Sequence, residues 1–438
     1  MSSELFVLLM FPSVILAILI GFPLAFSLMG VGLIYGFIGF GETAPYMLAQ
    51  RVFEVMSNYV LAAVALFVFM GVMLERSGVA DKLFDTIYMW TGRLRGGLAI
   101  GTVLMCTIFA AATGIIGASV VVIGLLAIPP MLSRKYSKEL ICGVICAGGS
   151  LGTIIPPSVV IVVYGPIAGL SVGKLLIGAI FPGLLLSLLY IIFIAAACFI
   201  KPSWGPAVAT EKVPFLKKIY LTGTSLIPPV ALIVAVMGTI LFGLAAPTEA
   251  ASLGALGTVL LAISYRKFSF ETLKKAAVET LKISTMIMMI LTAGTMYTSV
   301  FLGLGGGEVV EKIIMSLHLS PWGVVALFLG LVFLAGFILD WVSILLIFVP
   351  IFTPIVDKLG FDSIWFAILF LLMIQTSYLT PPMAGAIFYL KGIAPPEITV
   401  QHMYRGIIYF VVLQLIGIAL VMIFPQIALW LPSKMVLK

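Results

Sequence analysis

One carboxylate lies deep inside a long apolar run. Asp340 is the only charged residue between 313 and 356, in "ILDWVS", with Ser343 three positions on. Two further clusters of oxygens sit where glycine and proline interrupt apolar sequence. Ser150, Thr153 and Ser158 fall in "GGSLGTIIPPS" (148–158), and Thr376, Ser377 and Thr380 in "QTSYLTPP" (375–382). Thr113 and Ser119 border a fourth interruption at Gly114–Ala118. Proline carries no N–H and obstructs the preceding helical turn, and glycine lets backbones approach closely. A helix broken this way inside a bilayer frees carbonyls, each costing several kcal/mol if unpaired. A cation held by oxygen ligands would satisfy them. Oxygen-rich, sulfur-free sites suit hard cations, and Na⁺ is the extrapolation. The plainer alternatives are that glycine and proline serve packing and kinks, and that Asp340 caps the helix that follows it.

The elements carrying these residues must span a membrane. Of 438 residues, 62% are hydrophobic and 9% charged, against about 25% charged in soluble domains. Glu4 near the start and an apolar run reaching Phe40 do not resemble a signal peptide. Cys106, Cys142, Cys146 and Cys198 all lie in apolar runs and read as packing residues. His318 and His402 are the only histidines, too few for a histidine-based metal site. The net charge of +7 is explained by its placement and implies no nucleic acid.

Charge placement also counts the crossings. If 140–173 and 363–390 each cross once, and 96–133 and 313–356 return to the side they entered, ten crossings result with both termini outside. The cytoplasmic loops then hold 18 of the 24 Lys and Arg residues. If the two segments containing Pro-Pro crossed twice, the balance would be 12 against 12. Parity does not separate a re-entrant hairpin from two full spans for 96–133 and 313–356. The basic stretch 267–282 has helical apolar spacing and reads as a helix along the cytoplasmic interface. In "AAPTEAASLG", Thr248 is expected to cap a helix with Glu249 in its first turn.

The chain repeats itself at an offset of 225. Pro156-Pro157 maps to Pro381-Pro382, Pro129 to Pro354, and the break at 114–118 to 339–343. The loops after the matched prolines, "SRKYSKE" and "DKLGFD", differ in net sign, so the halves are expected to be inverted. Paired discontinuous helices in an inverted repeat are the pattern of secondary transporters. No Walker A motif is present, since "GLSVGKLL" has the wrong spacing. An intramembrane enzyme would need a catalytic pair, and only Asp340 is embedded. Paired inverted breaks suit alternating access better than a channel.

Several segments resemble the large membrane subunit of TRAP transporters, the DctM-like permeases of bacteria. They include "LFVFMGVMLERSGVADKLFD", "GASVVVIGLLAIPPMLSRKYSKEL", "GGSLGTIIPPS", "APTEAASLGALG", "GFILDWVSILLIFVPIFTPIV" and "TSYLTPPMAGAIFYLKG". The likeness runs in order from about residue 5 to 430. It implies an all-α polytopic membrane protein of the bacterial inner membrane, with both termini periplasmic. Two re-entrant hairpins and two discontinuous helices would move as an elevator. The implied organisation is scaffold helices in 1–58, a first repeat in 59–200 and linking helices with an amphipathic segment in 201–282. A second repeat follows in 283–433, and the hairpins are 96–133 and 313–356.

The resemblance further implies Na⁺-driven uptake of organic acids and no enzymatic activity or organic cofactor. A small DctQ-like membrane subunit and a periplasmic binding protein would be its partners. A related carrier acting without a binding protein is the alternative, separable by whether a small partner co-purifies. The first tip, Thr113–Ser119, would face the break at Gly149–Pro157, and the second, Asp340–Ser343, the break at Thr376–Pro382. Expected Na⁺ ligands are Thr113, Gly117, Ser119, Gly149, Gly152, Thr153, Pro156, Asp340, Thr376, Ser377 and Thr380. Expected substrate contacts are Thr113, Gly114, Ser150, Asp340, Ser343, Thr376 and Thr380.

Overall fold

The computed structural model describes residues 3–114, 116–207 and 214–435, apart from the side chains of 3 and 110–113. All regular structure among the described residues is helical. Helices α1 (Met10–Ile20) and α2 (Leu24–Phe40) form an N-terminal pair that turns at Gly21, whose φ of 106° excludes most side chains. The amphipathic α3 (Ala44–Ser57) leads into α4 (Ala62–Arg76) and the amphipathic α5 (Val79–Thr91).

The first repeat continues with α6 (Gly97–Thr113) and α7 (Ile116–Ser133), joined at Gly114. Next come α8 (Lys138–Ser150) and α9 (Val159–Ala168), separated by the Pro156-Pro157 break, and then α10 (Ile180–Ile200). Helices α11 (Ile227–Leu241) and α12 (Pro247–Ser264) connect the halves.

The second repeat begins with α13 (Phe270–Gly303), followed by α14 (Pro321–Ala335) and α15 (Trp341–Lys358). Then come α16 (Ser363–Ser377), α17 (Gly385–Ile393) and α18 (Val400–Ile423). Shifted by 225 residues, α7 coincides with α15 at both ends, and α8 and α9 fall on α16 and α17 within two residues. The Pro156-Pro157 and Pro381-Pro382 peptide bonds are both cis. Arg76 at the end of α4 pairs with Glu279 near the start of α13, so these matched helices run antiparallel. The repeats are therefore inverted.

Among the described residues, eight helices are long and apolar enough to cross a membrane, or nine if the bent pair 215–241 is one span. Two of the eight, α7 and α15, are arms of the segments that fold back at Gly114 and at Gly336–Asp340. Glu4–Ile20, α9 and α16 are apolar but shorter. Residues 267–282 do not lie apart along the interface. From Phe270 they continue without a break into the apolar part of the 34-residue α13, as its N-terminal turns.

The expected cap at Thr248 is also corrected. Helix α12 starts at Pro247, so Thr248 is already inside its first turn. The Glu249 carboxylate instead accepts the Ala246 N–H at 2.8 Å, satisfying an end group and favouring the helix dipole.

Helices α8 and α16 are buried on every side, from Leu140 to Ser150 and from Trp365 to Ser377. Around them pack α7, α6 and α18, with α18 against both α8 and α16. Helix α13 packs against α2, α3 and α4, and α4 against α12, as a second group. The α8–α18 contact needs bare backbone. A Cβ on Gly406 would lie 2.0 Å from the Glu139 carbonyl oxygen, and one on Gly143 2.6 Å from the Gly406 carbonyl. Gly406→Ala is expected to cost about 1–3 kcal/mol through overpacking. A lowered melting temperature of the purified protein would register it, and an unchanged one would show that this contact yields freely. All four cysteines are free and buried, consistent with packing roles.

Candidate substrate and cation site

The two tips and the two breaks converge on one cavity of about 610 Å³. Gly114, Gly117 and Ala118 line it from the first tip, and Leu339, Asp340 and Trp341 from the second. Thr153, Val159 and Val160 come from the first break, and Ser377, Tyr378, Met383 and Gly385 from the second. Helices α4 and α13 close the other wall with Val68, Val72, Glu75, Glu279 and Ile283.

Gly114 has a φ of 61°, which ends α6 in a left-handed turn. A Cβ there would stand 3.1 Å from the Pro157 carbonyl oxygen, so the first tip rests directly on the first break. Gly336 makes the matching approach at the second tip, where a Cβ would lie 2.5 Å from the Ser377 Cβ. The expected facing of tips and breaks is thus observed at both ends of the repeat.

Asp340 is the N-cap of α15. Its carboxylate accepts the Val342 N–H at 3.1 Å, the Ser343 N–H at 3.4 Å and the Ser343 hydroxyl. The sequence alternatives of cap and cavity carboxylate therefore coexist, because the capped end of α15 is itself part of the cavity wall. The Thr153 hydroxyl donates to the Ser150 carbonyl at 2.8 Å and the Ser377 hydroxyl to the Ile374 carbonyl at 2.6 Å. Hydroxyls that donate backward along their own chain keep oxygen lone pairs for a cation. The Tyr378 hydroxyl is buried with no partner among the described residues. A ligand oxygen in the cavity would satisfy it.

Gly114, Gly117, Thr153, Asp340 and Ser377 are thus brought to the cavity, while other expected residues stand behind its wall. Ser119, Gly149, Gly152, Ser343 and Thr376 are buried without lining it, and Pro156 and Thr380 are likewise set back. Gly149 seats the Val120 side chain, where a Cβ would come within 2.4 Å. Thr376 donates to the Met373 carbonyl and Thr380 to the Thr376 carbonyl. The Thr113 side chain lies outside the described residues.

Ser150 serves a different contact. Its carbonyl accepts the Gln375 side-chain N–H at 3.0 Å, and the two residues are 225 positions apart. They are repeat equivalents touching each other, so the pseudo-twofold axis passes between them. Gln414 from α18 donates its side-chain amide to the Ser150 hydroxyl at 3.4 Å and to the Gln375 Oε1 at 3.5 Å. Sequence reasoning passed over Gln414, Glu75 and Glu279. A glutamine in the apolar run 406–433 was a usable signal, whereas the two glutamates close their spans and read as loop charges.

A polytopic inverted repeat whose two breaks share one cavity defines a membrane transport protein. Residues 11–427 match the family model of the tripartite ATP-independent periplasmic transporter, DctM component. The chain belongs to that family, and it is a transport protein, not an enzyme. It is 30% identical to the C4-dicarboxylate TRAP transporter large permease protein DctM of Pseudomonas aeruginosa, over 90% of this chain and 91% of that one. It is 26% identical to the ectoine TRAP transporter large permease protein TeaC of Halomonas elongata, over 94% and 96%. Its fold is similar to that of the Alcanivorax borkumensis YdaH transporter, with a TM-score of 0.65 at 14% identity and 90% coverage of each chain.

Proposed function

We propose that this chain is the large permease of a Na⁺-driven importer of small organic acids in a bacterial inner membrane. Both termini would face the periplasm. A small membrane subunit and a periplasmic binding protein would complete the system. The observation that carries this reading is the meeting of both tips and both breaks, with Asp340, in one cavity. A volume of about 610 Å³ suits a metabolite-sized ligand.

The cavity wall presents Asp340, Glu75 and Glu279, and no lysine or arginine among the described residues. An incoming carboxylate would therefore need cations beside it, which links substrate binding to ion binding. Na⁺ would sit among the hydroxyls of Thr153 and Ser377 and the carbonyls of the two breaks. The Tyr378 hydroxyl would donate to the acid. Alternating access would come from α6–α9 and α14–α17 sliding as a unit against α4 and α13. With the positive loops inside, Glu75 and Glu279 would stand at the cytoplasmic end of the cavity.

The test is uptake into proteoliposomes containing the chain with its co-purifying small subunit and binding protein, offered labelled succinate and ectoine. Uptake should require an inward Na⁺ gradient and stop when K⁺ or choline replaces Na⁺ at equal ionic strength. Uptake of equal rate in K⁺ would overturn the coupling, and transport of neither acid would overturn these substrates.

A further inference from the structure

A second cavity of about 470 Å³ is walled by further turns of the same helices. The two are linked by helices that line both. On α13, Glu279, Ile283 and Ile287 face the first cavity, and Leu291, Thr295 and Ser299 continue the same i,i+4 row into the second. Helix α9 passes from Val160 to Val163 and α15 from Trp341 to Leu346 in the same way. Leu346 of α15 lines the second cavity and not the first. Its side chain covers Gly294, where a Cβ would lie 2.2 Å from Leu346 Cδ1, and its carbonyl accepts the Thr298 hydroxyl at 2.8 Å.

The two chambers differ in charge. The first has carboxylates and no lysine or arginine in its wall among the described residues, whereas Arg51 of α3 lines the second with Glu54. Arg51 meets Glu54 at 2.6 Å, within one helix turn, with both side chains partly exposed. Such pairs are weak and screened, and a guanidinium fork prefers a carboxylate or sulfonate that can engage it bidentately. Asn58, Thr295 and Ser299 surround it with further polar groups.

We infer that the second cavity is a receiving site for a small organic anion, with Arg51 as its counter-ion, farther along α13 from the first cavity. The cargo arriving there as an acid rests on the function proposed above. The anion preference itself does not.

The test uses Ser299→Cys in the full chain in native membranes. Its labelling rates with an anionic methanethiosulfonate reagent (sulfonatoethyl) and a cationic one (trimethylammonioethyl) are compared, and the ratio cancels changes in access. Adding Arg51→Gln should lower the anion-to-cation ratio about tenfold, and Glu54→Gln should raise it. Val72→Cys in the first cavity should keep its ratio with or without Arg51→Gln. Thr295→Cys repeats the measurement one turn away should Ser299→Cys fold poorly. A ratio unmoved by either charge change, or moved equally in both cavities, overturns the proposal. Such a failure leaves uptake through the first cavity standing, and loss of uptake with an Arg51-dependent ratio would instead fault the transport reading.

Discussion

Asp340→Ala and Asp340→Asn are both expected to cut Na⁺-driven uptake about a hundredfold. Removing one partner of a buried ionic contact costs about 3 kcal/mol or more, and each 1.4 kcal/mol is about a factor of ten. The two variants separate the residue's roles. The single amide oxygen of asparagine can still accept one of the two N–H groups that the carboxylate now accepts with separate oxygens, and asparagine caps helices about as well as aspartate, so the α15 cap survives. Alanine loses the cap as well, costing about 1 kcal/mol. Without Na⁺, only Asp340→Ala should melt earlier than wild type. Wild-type uptake by Asp340→Asn would reduce Asp340 to a helix cap.

Gln375→Ala should produce the largest loss of stability. Its amide is the link from α16 to the Ser150 carbonyl across the pseudo-twofold axis, and Gln375, Ser150 and Gln414 are all fully buried. Truncation empties the side-chain volume and leaves the Ser150 carbonyl without its amide partner, together about 3 kcal/mol. Gln375→Leu fills the space but not the hydrogen bond, and should lose about half as much. Melting temperature should therefore fall in the order wild type, Leu, Ala. Uptake should fall with it, since this contact holds the two breaks in register. Melting of Gln375→Leu equal to wild type would show that the hydrogen bond contributes nothing, and equal melting of Leu and Ala would show that volume contributes nothing.

Much of the fold was readable because its landmarks are chemical. Glycine and proline mark the breaks, and the 225-residue offset set by the prolines reproduces both ends of α7 and α15. The facing of individual residues was not readable. Helices α8 and α16 are buried all round, so no polar face distinguishes Thr153, which lines the cavity, from Ser150, which turns to Gln375. The join within α13 was misplaced for a related reason. Hydropathy ends where Lys and Glu begin at 271–282, but the backbone hydrogen bonding continues through them. Thr248 and Glu249 show the limit of local rules. Either could cap, and the start of α12 at Pro247 decided for Glu249.

The central claim is a preformed cation site where the tips and breaks meet. Its most direct test is the melting temperature of the purified chain, with its small partner, in Na⁺, K⁺ and choline at equal ionic strength. Ion at ten times its Kd should stabilise the protein by about 1.4 kcal/mol per site. The account predicts a rise in Na⁺ alone, reduced in Asp340→Ala. A rise that survives the mutation would leave the site but remove Asp340 from it. Equal melting in all three salts would contradict the account.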